Sequence, residues 1–416
     1  MRLFSFIVLL VLSASTAYCM SLDEMQDAAL EKRELVKRFM INLEKSERDI
    51  GLARSGYYPS VDLSYQTNTL DEDATFEAEE NSVLYGAVTW NLFRGFRDKY
   101  QIQSAELFNE VEDHQLNGIK QDIRLDVALR YLDVYERRAN LEVAKKNYET
   151  LDKIYRDGEN RLDVGLIDRN ELLKFKVDLN NSIITTEAAR AGLEKSVNNL
   201  GRTIGESVQL GSLDFGEFKD IPENEEYENS ERLMLENRSE LLALRKLVDA
   251  SLYQVKVEES DYYPKVGVVG SYRKYDDDYL NGNGNVEDDE LRAQLVLSIN
   301  LFQGLFTEES VAKARLENRG LQYDLDELTD TFKNELKNLH IDYAVSLRNV
   351  NVALISIEQA EENLRITRLK YDEGLQRESD LLDAVTNLSR AQYDYVAVVR
   401  TVFLNRFRIL RMIEAI

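Results

Sequence analysis

Two stretches decide how this chain is read: GYYPSVDLSY, Gly56 to Tyr65, and DYYPKVGVVGSY, Asp261 to Tyr272. Each carries Tyr-Tyr-Pro, in a chain of 416 residues that has only 3 prolines. After Pro59, Val61, Leu63 and Tyr65 alternate with Asp62, Ser64 and Gln66. After Pro264, Val266, Val268, Gly270 and Tyr272 alternate with Lys265, Gly267, Val269 and Ser271. Alternation of period two is a strand signal. Proline stops a helix but is tolerated at the start of a strand. Each triplet therefore predicts a change from helix to strand.

The residues downstream of each triplet also match. Trp90-Asn91-Leu92-Phe93-Arg94-Gly95 answers Ile299-Asn300-Leu301-Phe302-Gln303-Gly304, and Gly165 with Leu172 and Leu173 answers Gly374 with Leu381 and Leu382. Gly95 and Gly304 are the same interval apart as Gly165 and Gly374, which marks an internal duplication. The expected repeats are 22–205 and 226–416. The segment 206–225, with Pro222 and several glycines, joins them. Expected strands lie at about 60–69, 82–93, 265–275 and 290–302.

Between the strands the period changes. From about Arg97 to Asn160, and from about Thr307 to Asp372, proline is absent. A helix of about 65 residues reaches roughly 100 Å, too long for one globular domain. Leu321, Leu325, Leu328, Phe332, Leu336, Leu339 and Tyr343 recur about every 3.6 residues, as on a straight helix. From Leu381 through Val385, Leu388, Gln392, Tyr395, Val399 and Val402 the period tightens to about 3.5, which imposes supercoiling on a partner. Each long helix ends at a glycine, Gly165 or Gly374, after which a second helix returns. Further helices over 22–55 and 226–260 lead into the Tyr-Tyr-Pro sites.

Charge narrows the function. With 31% charged residues and a net charge of -24, the chain has the wrong sign for nonspecific attraction to nucleic acid. Arg2, the apolar run Leu3 to Leu12 and the small residues after it form a signal peptide, expected over 1–19. Cys19 is the only cysteine; it is either at the cleavage site or a lipid acceptor, and no intrachain disulfide is possible. No other stretch is apolar over the 18 or so residues of a membrane helix, so entry into a membrane requires strands.

A half-buried hairpin on a soluble sheet is the commoner source of such strands. Three features favour a membrane instead. The strands have the roughly 9 to 11 residues of tilted membrane strands. Tyr58, Tyr263, Trp90, Phe93 and Phe302 stand at strand ends, where interfacial aromatics sit. The joining loops, 70–80 and 276–290, are long and acidic. Tyr58, Pro59, Tyr263 and Pro264 then mark the membrane interface. Because an open edge does not survive in lipid, several chains must contribute strands to one barrel.

These marks, with the tips RLDVGLIDRNELL (161–173) and KYDEGLQRESDLLDA (370–384), resemble those of the TolC-like outer-membrane efflux proteins over essentially the whole mature chain. The resemblance implies a mainly α fold with a small transmembrane β part. Duplicated long antiparallel helices would form a periplasmic tunnel, and four strands per chain would join a shared 12-stranded trimeric β-barrel in outer-membrane lipid. It also implies a periplasmic adaptor and an inner-membrane transporter as partners. Val164, Gly165 and Leu166, with Gly374 and Leu375 in the second repeat, resemble the adaptor-docking tips; Glu373 replaces the second valine. Asp380 and Asp383 match the paired aspartates of the periplasmic aperture, and an i, i+3 spacing puts both on one helical face. Acids early in a helix also suit its dipole. Tyr371, Asn170 and Glu171 fall at the family's gate positions. Gln376 stands where the best-known member has arginine, and Arg377 comes next in the chain.

Catalytic chemistry has little support. His114 and His340 sit alone in long helices, without a second histidine at i+4. Asn281, Gly282 and Asp288 faintly resemble a calcium loop, but Tyr279 occupies a ligand position. No cofactor or metal site is expected. The chain reads as a passive export conduit of a tripartite efflux pump or type I secretion system. A periplasmic coiled-coil scaffold without a pore is the alternative, and it has no use for four alternating strands.

Overall fold

The computed structural model describes residues 20–72, 79–223, 226–276 and 289–416. The expected signal peptide, Cys19, most of the acidic loops and the calcium-like stretch lie outside the described residues. The chain forms α1 (Leu22–Lys32), α2 (Glu34–Arg54), β1 (Ser60–Thr69), β2 (Glu80–Arg94), α3 (Arg97–Asp163), α4 (Arg169–Ile204), α5 (Tyr227–Asn237), α6 (Ser239–Glu259), β3 (Lys265–Asp276), β4 (Asp289–Ser298), α7 (Phe306–Asp372) and α8 (Glu378–Met412). It divides into two compact units. Of the described residues, one comprises those within 20–36, 119–236 and 332–416, and the other those within 37–118 and 237–331. The units cut across the two repeats because α3 and α7 each run through both.

Caps explain where several helices begin and end. Ser21 and Glu24 close a reciprocal box at the start of α1, each accepting the other's backbone N–H. Asp168 accepts from Glu171 N at 2.9 Å and starts α4. Gly205, at φ +87, ends it. The helices expected over 22–55 and 226–260 are each interrupted, at Arg33 and Arg238. Both residues leave the helical region, with ψ of 122 and 113. Arg33 donates to Thr203 O at 3.2 Å and lies 3.6 Å from Asp126, so tertiary partners hold it at the break.

In the first unit, the connecting segment lies on the long helices. Met20 N donates to Ser212 O at 2.8 Å, beside a short parallel bridge to Leu213. Phe215 stacks on Tyr131 of α3 at 5.0 Å, and Phe218 meets Phe403 of α8 edge-on at 4.8 Å. A second cluster joins Met234 of α5 to Leu336 and Tyr343 of α7 and to Val402 and Ile409 of α8. His340 sits edge-on to Tyr227 at 5.5 Å.

The second unit holds one antiparallel sheet, in the order β1-β2-β3-β4. Its register sorts side chains into two faces. Rows such as Val61, Val88, Gly270, Ala293 and Leu63, Gly86, Tyr272, Leu291 make an apolar face. Rows such as Asp62, Ala87, Ser271, Arg292 and Ser64, Tyr85, Arg273, Glu290 make a polar one. β2 runs to Arg94 through a bulge between Asn91 and Phe93, whereas β4 stops at Ser298, short of the expected 302. Within one chain no strand lies beside residues 299–302 to continue the ladder among the described residues.

At the turn from β2 into α3, Gly95 has φ +64, and a Cβ there would collide with Ser260 O. Arg97 ties the same point down, donating to Ser260 Oγ at 3.1 Å and to Asp261 Oδ2 at 2.9 Å.

Phe403 is almost completely buried, so Phe403→Ala is expected to cost about 3–5 kcal/mol. The expected result is a lower thermal midpoint of the helical circular-dichroism signal, with Glu149→Ala, on an exposed site, unchanged within about 0.5 kcal/mol.

Candidate functional site

The two tips close in the same way. Leu166 N donates to Arg161 O at 2.8 Å and Gly165 N to Leu162 O at 2.9 Å; Leu375 N donates to Lys370 O at 2.8 Å and Gly374 N to Tyr371 O at 3.0 Å. This double pattern ends a helix through a residue in the left-handed region, and Gly165 and Gly374 have φ of +76 and +72. The turns leave Val164, Leu166 and Leu375 at least 70% exposed. Glu373 is exposed as well.

Between the tips lies a compact cluster. Leu151 and Ile154 of α3, Phe175 and Leu179 of α4, Tyr371 of α7, and Leu381 and Val385 of α8 form a buried core. Gly158 makes room for Phe175: a Cβ there would lie 2.9 Å from its ring. The Tyr371 hydroxyl donates to Glu171 Oε1 at 2.5 Å. Phe175 meets the Tyr371 ring edge-on at 6.1 Å, and the Arg161 guanidinium lies 5.0 Å from its centre. Burial, reinforced by the bond to Glu171, holds the phenol well above its ordinary pKa. Tyr371 therefore stays a neutral donor.

Ion pairs surround this core. Arg161 reaches Asp372 at 2.5 Å, Arg368 reaches Asp157 at 3.0 Å, and Lys174 pairs with Glu378. The Lys174 ammonium holds the Glu378 carboxyl below its usual range. Asp380 Oδ2 accepts from Arg377 N at 3.2 Å, so that carboxylate caps α8. Asp383 is exposed one helical turn further on. Facing it from α4 is Asp178, whose carboxyl is pushed up by burial and by the Asp383 charge. Gln376 Oε1 is buried and accepts no hydrogen bond among the described residues. Asn170 is exposed beside Glu171.

The structure thus joins Tyr371 directly to Glu171. It adds Arg161, Asp372, Lys174, Glu378, Arg368, Asp157 and Asp178, none of which sequence reasoning singled out. The one available signal was that the two tips are charged on both sides of their glycines.

At the sheet, Tyr58 and Tyr263 are exposed at the bends into β1 and β3, and Trp90 Nε1 donates to Tyr57 O at 2.9 Å. On the polar face, Arg273 donates to the Tyr275 hydroxyl at 2.7 Å and lies 5.3 Å from the Tyr85 ring. Arg292 Nε donates to Glu290 at 2.6 Å. The opposite face carries exposed Val61, Leu63, Leu291, Leu295 and Leu297. A sheet with one face of this kind and one polar face suits a wall between lipid and water. Among the described residues no helix is long and apolar enough to cross a membrane.

Comparison with known proteins gives the same reading. A family model described as outer membrane efflux protein matches residues 26–206 and 232–406. The outer membrane efflux protein BepC of Brucella suis is 20% identical over 357 residues, spanning 84% of this chain and 77% of BepC. The alkaline protease secretion protein AprF of Pseudomonas aeruginosa is 23% identical over 297 residues, spanning 69% of this chain and 61% of AprF. Among solved structures, the outer membrane protein VceC of Vibrio cholerae superimposes with a TM-score of 0.80 at 16% identity, covering 94% of this chain and 95% of VceC. With most of its length matched by one family model, and with the two-faced sheet and long paired helices of such channels, this chain belongs to the outer membrane efflux protein family.

Proposed function

We propose that three copies of this chain form a passive duct through the outer membrane and periplasm, serving a tripartite efflux pump or a type I secretion system. Its family places the chain in the outer membrane with a periplasmic helical part. The observation that carries the proposal is the division of the sheet into an apolar and a polar face, with a free edge on each side. Four strands cannot close a barrel, and three copies supply twelve. A scaffold without a pore has no use for such a sheet.

In this reading the tip is the gate. The Tyr371–Glu171 hydrogen bond and the pairs Arg161–Asp372, Arg368–Asp157 and Lys174–Glu378 hold α7 and α8 against α3 and α4. Gln376 supplies no ionic link of its own, and its unpartnered oxygen supports a closure made by its neighbours. Asp383, with Asp380 and Asp178, lines the aperture, where crowded carboxylates favour cations. Val164, Leu166 and Leu375 offer a periplasmic adaptor the apolar surface of the tips, with Gly165 and Gly374 setting their turns. An inner-membrane transporter supplies the energy. Tyr58, Pro59, Tyr263 and Pro264 mark the periplasmic surface of the membrane.

Planar bilayers test the gate. Tyr371→Phe removes a hydrogen bond to a carboxylate, worth about 1.5–3 kcal/mol, and should raise the open probability at least about tenfold in single-channel recordings; an unchanged open probability rejects the gate. Asp380→Ala with Asp383→Ala should weaken block by divalent cations. Acid should loosen the tip. Because Lys174 lowers the Glu378 pKa in the closed tip, that contribution is complete above the free carboxylate value of about 4.3. It is lost as pH falls through the lower folded value. Conductance should therefore rise only below about pH 4, and Glu378→Gln should abolish the step.

A further inference from the structure

A continuous series of aromatic rings leads from the apolar face of the sheet onto helices α3 and α6. Phe93 lies opposite Val266, which shares a face of β3 with Val268 and so continues the apolar row of Trp90 and Val268. Phe96 meets Phe93 edge-on at 5.0 Å and Tyr263 edge-on at 5.9 Å. Tyr100 follows at 6.4 Å from Phe96, and Tyr253 of α6 at 6.3 Å from Tyr100. Two ammonium groups stand at the far end of this series. Lys99 Nζ lies 5.9 Å from the centre of the Tyr100 ring, and Lys256 Nζ lies 5.5 Å from that centre and 4.6 Å from the centre of the Tyr253 ring. All of these residues belong to one compact unit.

Both lysines are exposed, and neither pairs with a carboxylate among the described residues, in a chain of net charge -24. The acids nearest in sequence are engaged elsewhere: Asp98 with Arg94, Glu259 with Arg315 and Asp261 with Arg97. The hydroxyls of Tyr100 and Tyr253 likewise have no hydrogen-bond partner among the described residues. The second repeat shows that packing does not require this group. Aligning Gly304 with Gly95 sets Glu308 and Glu309 where Lys99 and Tyr100 stand, and aligning Pro59 with Pro264 sets Arg48 and Gly51 where Tyr253 and Lys256 stand. Arg48 is paired with Glu44. The two unpaired cations therefore occur only below β2 and β3, the middle strands of the sheet, and away from its free edges.

We propose that Lys99 and Lys256, held over Tyr100 and Tyr253, bind the phosphate of an anionic phospholipid in the periplasm-facing leaflet, one lipid to each chain. This rests on the reading that the sheet stands in the membrane with Tyr263 at its periplasmic surface, and it adds a lipid site there. The height fits. Tyr100 lies four residues along α3 from Phe96, about 6 Å, and a headgroup layer is roughly 5–7 Å deep. Lys256 reaches the same level, because its ammonium lies against the Tyr100 ring. A phosphate attached to acyl chains that lie along Phe93 and Val266 comes to both ammonium groups. The lysines supply ion pairs, the two phenols supply hydrogen-bond donors, and exposed Phe96 and Tyr263 offer an apolar surface to the first carbons of the chains. A zwitterionic headgroup would bring its own ammonium beside two others, so the site selects net negative charge.

Native mass spectrometry of the full chain in detergent, titrated separately with phosphatidylglycerol and phosphatidylethanolamine, tests the site. Phosphatidylglycerol should bind at one molecule per chain and about tenfold more tightly than phosphatidylethanolamine. Lys99→Gln with Lys256→Gln should reduce that preference to about twofold or less. Lys99→Arg with Lys256→Arg should keep it, and Lys313→Gln, at an exposed lysine of α7, should leave it unchanged. Equal affinity for the two lipids, or a preference that survives the double glutamine variant, overturns the site. Displacement of phosphatidylglycerol by inorganic phosphate at equal concentration also overturns it and assigns the cluster to a free anion. A chain that stays monomeric and does not conduct in planar bilayers overturns the membrane reading itself, a separate result.

Discussion

The backbone hydrogen bond at a sheet edge is the constraint on which the rest of this molecule depends. In hydrocarbon every unpaired N–H or C=O costs several kcal/mol, so a sheet with two free edges is not a stable solution there. β1 and β4 each leave such an edge. The apolar face of the sheet makes lipid its natural surroundings, and the edges make a single copy incomplete in it. Proline at 59 and 264 ends the arriving helices where the ladder has to begin.

At the tip the forces are of another order. The apolar core around Phe175, Tyr371 and Leu381 is small, and the ion pairs round it are partly exposed, so each adds little in water. Several weak links round one buried phenol would suit the proposed gate, because modest work can undo them. The Tyr371–Glu171 bond differs because it is shielded and joins a neutral donor to a carboxylate, the stronger class of hydrogen bond. The aromatic cluster of Phe215, Phe218 and Phe403 shares none of these contacts, so the proposed opening would leave it in place.

Much of this was legible in the residues because it depends on local period. β1 begins at Ser60, immediately after the proline, and the glycine turns fall at Gly165 and Gly374 where spacing placed them. The breaks at Arg33 and Arg238 were not read, since neither proline nor glycine marks them and arginine favours a helix. At Arg33 the cause is tertiary, through Thr203 and Asp126, whereas Arg238 pairs with Glu240 two residues on. A signal was nevertheless present, because Arg33 and Arg238 are separated by the same interval as Pro59 and Pro264. The tip ion pairs were hidden for a related reason. Arg161 and Asp372 lie far apart in the chain, and no local pattern states which of many charges will meet.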